Sequence, residues 1–264
     1  MILALDVGNS QIFGGLFDGR ELTVRFRKTS RPAVTSDELG LFLRSVLREN
    51  GADPSRVQQI AVCSVVPQIL YSLRSCCRKY FDLDPFVLQA GAKTGLKIRY
   101  RNPVEVGPDR IANAIAATLL YPDRHAIVID FGTATKFDVI HADREYLGGL
   151  ILPGLQIAME ALEQKTARLP TVEIVQPADL IGRSTVENIQ AGLYFGNRAA
   201  VRELTREIRA HAFHGEPAVV IGTGGFSRLF EREHLFDALL PDLVLVGLAH
   251  ALSLNLPAGR GAGV

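Results

Sequence analysis

The stretch Leu3-Ala4-Leu5-Asp6-Val7-Gly8-Asn9-Ser10-Gln11-Ile12-Phe13-Gly14-Gly15-Leu16-Phe17-Asp18 decides how this chain is read, because it returns in altered form further on. Setting Asp6 on Asp130 lays it over Ile127-Val128-Ile129-Asp130-Phe131-Gly132-Thr133-Ala134-Thr135-Lys136-Phe137-Asp138-Val139-Ile140-His141-Ala142. The offset is nearly half the chain. Each copy is an apolar run that ends in Asp-x-Gly and resumes as a second apolar run. A period this long does not suggest a solenoid, whose repeats are a few tens of residues. It suggests two similar α/β halves.

Working outward from the first copy, residues 12–17 read as a second strand and Asp18-Gly19 as a hairpin signal. Residues 22–28 alternate as a third strand. Thr35 and Glu38 form a capping box, which predicts a helix from Ser36 to about Asn50 that stops at Gly51. Residues 57–66 read as a buried strand, Pro67 suits the first turn of a helix to about Tyr80, and residues 85–89 form a short strand. Around the second copy, strands are expected over 126–129 and 135–140, with a turn near Asp143. Ser184-Thr185-Val186-Glu187 reads as another capping box that opens a long helix to about His211. A strand over 218–221 runs into Gly222-Thr223-Gly224-Gly225, and a closing helix is expected over 243–254. The halves are expected to divide near Ala117, into 1–117 and 118–264, each a mixed sheet covered by helices. A cleft between two such halves is a common place for a ligand.

Composition narrows the function classes. The chain has 264 residues, 47% hydrophobic and 22% charged, as an ordinary globular protein does. Disorder is expected only in the Gly- and Ala-rich tail from Pro257 to Val264. Lys plus Arg is 29 against 28 for Asp plus Glu, with no basic stripe and 7% aromatics, so nucleic acid is disfavoured as a partner. No apolar run approaches the roughly 18–20 residues of a membrane span. The start MILALDVGNS has no basic region and carries Asp6 inside its apolar stretch, unlike a signal peptide. Cys63, Cys76 and Cys77 are odd in number and lack CxxC spacing, which argues against a disulfide framework or a zinc site. The expected compartment is the cytoplasm.

Four constellations can carry chemistry. Asp6-x-Gly8-Asn9-Ser10 makes a tight turn whose backbone N–H groups can meet phosphate, while Asp6 would hold Mg²⁺. A plain hairpin is the alternative for this motif taken alone. Asp130-x-Gly132-Thr133-Ala134 repeats it in the second half, and the pair fits two loops gripping a polyphosphate and its cation. Gly222-Thr223-Gly224-Gly225 lets backbone lie flat against a ligand ahead of a helix start, or is an ordinary strand-to-helix turn. There is no GxxxxGK[ST] and no GxGxxG after a strand, which sets aside a P-loop and a dinucleotide fold. Finally, Asn102-Pro103-Val104-Glu105-Val106-Gly107-Pro108-Asp109-Arg110 puts an acid and a guanidinium in a first helical turn. Asp109 there can act as a general base and Arg110 can clamp a carboxylate, or Asp109 simply caps the helix and pairs with Arg110. His211 and His214 read as solvated residues closing an exposed helix, and Lys136 and Lys165 as surface lysines.

The paired loops and the GTGG turn resemble the actin, Hsp70 and sugar kinase superfamily. Tyr100 to Arg110, Gly148-Gly-Leu-Ile-Leu-Pro-Gly154, Ala167-Arg-Leu-Pro170 and Ile181-Gly-Arg-Ser-Thr185 narrow this to a resemblance to type III pantothenate kinases over nearly the whole chain. The resemblance implies a duplicated actin-like (ribonuclease H-like) α/β fold that transfers the γ-phosphoryl group of ATP to pantothenate. It implies ATP phosphates on Asp6, Val7, Gly8, Asn9, Ser10, Gln11, Ile12 and Phe13, with Thr133 contacting ATP from the second half. It places pantothenate against Tyr100, Gly107, Pro108, Asp109, Arg110 and Thr185, with Asp109 as the base. Asp130 would bind a monovalent cation, K⁺ or NH₄⁺, beside the Mg²⁺ that accompanies ATP, and the protein would be a homodimer. One residue departs from the pattern: Lys136 follows the second phosphate loop, where a neutral hydroxyl residue is expected. The rival readings are another small-metabolite kinase of the superfamily, a non-catalytic accessory factor, and an ATPase without an acceptor.

Overall fold

The computed structural model describes residues 1–256, so the expectation for the tail from Pro257 to Val264 lies outside the described residues. The chain divides into two compact units. Among the described residues, the first comprises Met1–Leu96, Arg101–Leu119 and residues 243–256, and the second comprises Lys97–Tyr100 and Leu120–Asp242.

In the first unit, β1 (Ile2–Val7), β2 (Gln11–Asp18) and β3 (Glu21–Thr29) form an antiparallel meander. Helix α1 (Ser36–Glu49) follows, and Thr35 and Glu38 make both reciprocal bonds of its capping box. Strand β4 (Gln59–Ser64) is shorter than its apolar run, because a 3₁₀ turn at Pro54–Arg56 occupies the approach. Helix α2 (Pro67–Phe81) and β5 (Phe86–Val87) complete the sheet order β3-β2-β1-β4-β5, with β1, β4 and β5 parallel. Leu3, Leu5, Val7, Ile60 and Val62 pack with Leu39, Leu43 and Leu47 of α1 and with Ile69, Leu73, Cys76 and Cys77 of α2. Burying these side chains stabilises the unit by about 1.5–3 kcal/mol for each large aliphatic residue. The three cysteines are buried, and none of them forms a disulfide. A hydrogen bond with Cys76, and then burial, push the Cys77 thiol up and keep it protonated.

The two-residue strand β6 (Lys97–Ile98) opens the second unit. Helix α3 (Pro108–Leu120) of the first unit follows, buried along most of its length. The second unit then runs through β7 (His125–Phe131), β8 (Ala134–His141) and β9 (Glu145–Pro153), again an antiparallel meander. Helices α4 (Leu155–Lys165) and α5 (Thr185–Ala212), with β10 (Ala218–Thr223) and β11 (Ala238–Leu239), complete it. The sheet order is β11-β10-β7-β8-β9-β6. Read from the meander inward, β9-β8-β7-β10-β11 repeats β3-β2-β1-β4-β5, which is the duplication seen in the sequence.

The last helix, α6 (Leu243–Asn255), packs on β1 and β4 and therefore belongs to the first unit. Its apolar residues run all round it, as a fully buried helix requires. Gly247 sets its distance from α3: a Cβ there would stand 1.7 Å from the carbonyl oxygen of Ala112. The helix that carries Asp109 is thus seated against the backbone of α6.

Three local expectations need correction. The match between the two copies slips by one residue after the turn. The Gly8 N–H donates to the Gln11 carbonyl at 2.9 Å, whereas the Gly132 N–H donates to the Ala134 carbonyl at 3.2 Å, so the second loop is one residue shorter. At α5 the Ser184 hydroxyl accepts from the Glu187 N–H at 3.2 Å, but the Glu187 carboxylate turns to the Arg183 N–H at 2.6 Å, so the box is not reciprocal at the cap. The turn after Gly225 opens a 3₁₀ helix, Ser227–Glu233, where an α-helix was expected.

Candidate functional site

The first hairpin presents a small exposed tip. Asn9, Ser10 and Gln11 are exposed, while the side chains of Val7, Ile12 and Phe13 are buried in the sheet. A ligand at this loop therefore meets the backbone and the three polar side chains. The Ser10 carbonyl accepts from the Ser30 N–H at 3.0 Å, which ties the tip to the end of β3. The Arg27 guanidinium bonds Gln11 Oε1 at 3.2 Å and lies 4.1 Å from the centre of the Phe13 ring. Asp6, half-buried at the end of β1, accepts from the Cys63 thiol at 3.3 Å.

The Pro-Gly-Pro segment forms a 3₁₀ turn, Pro103–Glu105, and then Val106 buries itself and α3 begins at Pro108. Asp109 lies in the first turn of α3, where the helix dipole favours a carboxylate. Its Oδ1 folds back over Gly107, so closely that a Cβ at Gly107 would stand 2.4 Å from it. Gly107 is therefore needed by the side chain of Asp109 rather than by its own backbone angle. Arg110 is only 5% exposed, and a guanidinium at that depth is a fixed donor rather than a mobile surface charge.

In the second unit, three predicted features meet at Asp130. Asp130 is the next-to-last residue of β7 and its register partner on β8 is Lys136. Lys136 Nζ stands 2.9 Å from Asp130 Oδ2, and the two side chains are 17% and 15% exposed. The expectation of a surface lysine is thus corrected at Lys136 and holds at exposed Lys165. Gly224 of the GTGG turn adopts φ +88°, and a Cβ on it would meet Asp130 Oδ1 at 2.3 Å and the Phe131 nitrogen at 2.7 Å. At least this glycine serves close packing against Asp130, while the neighbouring Gly225 faces open space. Thr133 is exposed at the tip of the shorter loop.

Tyr100 lies elsewhere in the same unit. Its ring sits over Gly148, which takes φ +117°, and is 6.5 Å from that of Tyr146. The Tyr146 hydroxyl donates to Asp138 Oδ1 at 2.8 Å. Asp138 is fully buried and was missed by sequence reasoning, although an acid between Phe137 and Val139 in an apolar strand is a signal. Thr185 is the exposed first residue of α5. Further along α5, the Tyr194 hydroxyl donates to Glu233 at 2.7 Å and Arg198 pairs with it at 3.1 Å, which fixes the 3₁₀ helix. Burial, then the bond to Glu233, push the Tyr194 phenol up to about 12. His211 is exposed, as expected of it, and bonds within its own helix. Among the described residues, no group of three or more His, Cys, Asp or Glu side chains could hold a metal ion.

Two sheets of one order, each ending its first strand in an Asp-x-Gly hairpin, define a duplicated actin-like fold. Solved structures share it at low identity. A 2-dehydro-3-deoxygalactonokinase from Sinorhizobium meliloti, so assigned without proof, superimposes with a TM-score of 0.61 at 14% identity, over 99% of each chain. A Campylobacter jejuni protein assigned to the Baf family of transcriptional activators gives 0.60 at 18% identity, over 96% of this chain and 98% of that one. The family model for type III pantothenate kinase matches residues 2–207. A type III pantothenate kinase of Legionella pneumophila (strain Corby) is 57% identical over 255 residues, covering 97% of this chain and 99% of the relative. The chain belongs to the type III pantothenate kinase family.

Proposed function

We propose that this protein phosphorylates pantothenate with ATP, giving 4′-phosphopantothenate and ADP, the first step of coenzyme A synthesis. The observation that carries the reading is the family match over residues 2–207, together with 57% identity to a named relative across nearly the full chain. The geometry is in keeping with it, because phosphoryl transfer asks the protein chiefly for positioning and charge stabilisation.

Each unit has its own part. The exposed tip from Gly8 to Gln11 offers backbone N–H groups and polar side chains to the ATP phosphates, and Asp6 beside it is a hard oxygen ligand. One carboxylate suits Mg²⁺, which usually keeps phosphate oxygens and water as its other ligands. When bound, the ion neutralises charge on the β- and γ-phosphates. Thr133 contacts ATP from the second unit. Tyr100, Gly107, Pro108, Arg110 and Thr185 receive pantothenate. Asp109 takes the proton of the pantothenate hydroxyl. The hydroxyl oxygen then bonds to the γ-phosphorus as the bond to the β–γ bridging oxygen breaks, and ADP leaves with that electron pair.

The protein acts as a homodimer in the cytoplasm. Ile151, Leu180 and Ile181 are exposed large apolar side chains of the second unit, the kind of surface that a second copy covers. The three buried thiols, none of them in a disulfide, suit a reducing compartment, and no described helix is long and apolar enough to cross a membrane. Its partner is pantothenate rather than nucleic acid. In the family pattern a monovalent cation, K⁺ or NH₄⁺, binds at the position of Asp130.

The test is ADP release by purified protein with Mg-ATP, with and without pantothenate, in buffer that contains K⁺. Pantothenate-dependent release is expected. Release that is absent, or indifferent to pantothenate, overturns the reading.

A further inference from the structure

The two hairpins differ at one register position. Across from Asp6 the partner strand offers Phe13, and across from Asp130 it offers Lys136. Only the second hairpin therefore carries a fixed ammonium opposite its carboxylate. Lys136 shares a strand face with Asp138, because side chains two apart on a strand point the same way. It is mostly buried and lies 2.9 Å from Asp130 Oδ2. The other carboxylate oxygen, Oδ1, is backed by Gly224.

A free monovalent cation does not fit this arrangement. The oxygen that would bind it already has a positive partner, and a second positive charge a few ångströms from the first would be repelled with little water to screen it. A lysine ammonium is itself a compact point charge with three donors. We propose that Lys136 is the tethered cation of the Asp130 hairpin, so that this protein works without K⁺ or NH₄⁺. Lys136 is a positioning residue: it holds Asp130, and through Asp130 the loop that bears Thr133. The activity half of this inference rests on the kinase reading above.

The test compares wild type, Lys136→Thr and Lys136→Arg in KCl, NH₄Cl and tetramethylammonium chloride at equal ionic strength. Pantothenate-dependent ADP release and melting temperature are both recorded. Wild type and Lys136→Arg are expected to be indifferent to the salt. Lys136→Thr should lose activity by on the order of tenfold or more in tetramethylammonium, as expected on removing one electrostatic contact, and regain it in K⁺ or NH₄⁺. Its melting temperature should rise with K⁺ while that of wild type does not. A wild type that requires K⁺ or NH₄⁺ overturns the proposal, and so does a Lys136→Thr protein equally active in all three salts. If no protein shows pantothenate-dependent release in any salt, the kinase reading fails and melting decides: K⁺-specific stabilisation confined to Lys136→Thr supports the tethered cation, and any other pattern refutes it. If Lys136→Thr does not fold, the wild-type salt series decides alone in the same sense.

Discussion

Gly224→Ala, set beside Gly225→Ala, separates a packing glycine from one that faces open space. At Gly224 the backbone holds φ +88°, which costs a residue with a Cβ roughly 1–2 kcal/mol. The new Cβ would also stand 2.7 Å from the Phe131 backbone nitrogen and 2.3 Å from Asp130 Oδ1, and a strand backbone cannot yield as a flexible side chain can. Overpacking of this kind costs about 1–3 kcal/mol more. The sum, about 2–5 kcal/mol, is a large part of a typical stability of roughly 5–15 kcal/mol. At Gly225 no atom lies within 4 Å of the built Cβ and φ is not positive, so alanine there should be neutral or slightly stabilising. Urea unfolding followed by circular dichroism should place the Gly224→Ala midpoint on the order of 1 M below wild type, with Gly225→Ala unchanged. Equal midpoints for the two variants would refute the argument, because it assigns the difference to the positive φ of Gly224 and to its close packing on Asp130 and Phe131.

Asp109→Asn should keep the fold and ATP binding and lose transfer by about 10²–10⁴-fold, measured as the pantothenate-dependent rate. Near-normal turnover would leave Asp109 as a helix cap. Gly247→Ala should push α6 off α3, since the added Cβ meets the Ala112 carbonyl at 1.7 Å. A displacement of about 1 Å at a catalytic group costs on the order of 10²-fold, so kcat should fall even where the variant remains folded, and an unchanged kcat counts against this route. The Glu233 carboxyl is held below its usual value of 4.5, first by the hydrogen bond from Tyr194 and then by Arg198. A depressed folded value gives stability that is present above the ordinary glutamate value and lost as pH falls through the depressed one. Urea midpoints from neutral to acid pH should therefore fall less steeply below pH 4.5 in Glu233→Gln than in wild type.

The parts of the fold that local chemistry specifies were legible in the sequence. Thr35 and Glu38 set the start of α1, Pro67 the start of α2, and the repeated Asp-x-Gly the two hairpins. What escaped was set by distant contacts. Strand β9 carries Gly148 and Gly149 in its middle, which reads as loop until the Tyr100 ring is seen over Gly148. Strand β6 is two residues long and exists only by pairing with β9. Helix α4 follows a glycine cap without a side-chain bond, so no capping signal announces it. Lys136 reads as a surface lysine because a lysine usually is one, and only the register across from Asp130 shows otherwise. The motif residues themselves were visible, but the seat of Asp130 against Gly224 depends on β10 lying beside β7.

The return of α6 to the first unit has a bearing on how the protein is made. Its residues are translated after those of the second unit, yet they cover β1 and β4, which are translated before it. A ribosome adding about 5–20 residues per second therefore holds an N-terminal sheet without its α6 cover while Leu120–Asp242 of the second unit emerges. The second unit has all of its strands in hand before α6 appears, so it can close first. During synthesis the first unit is the vulnerable one, and the helix that completes it also seats the helix bearing Asp109.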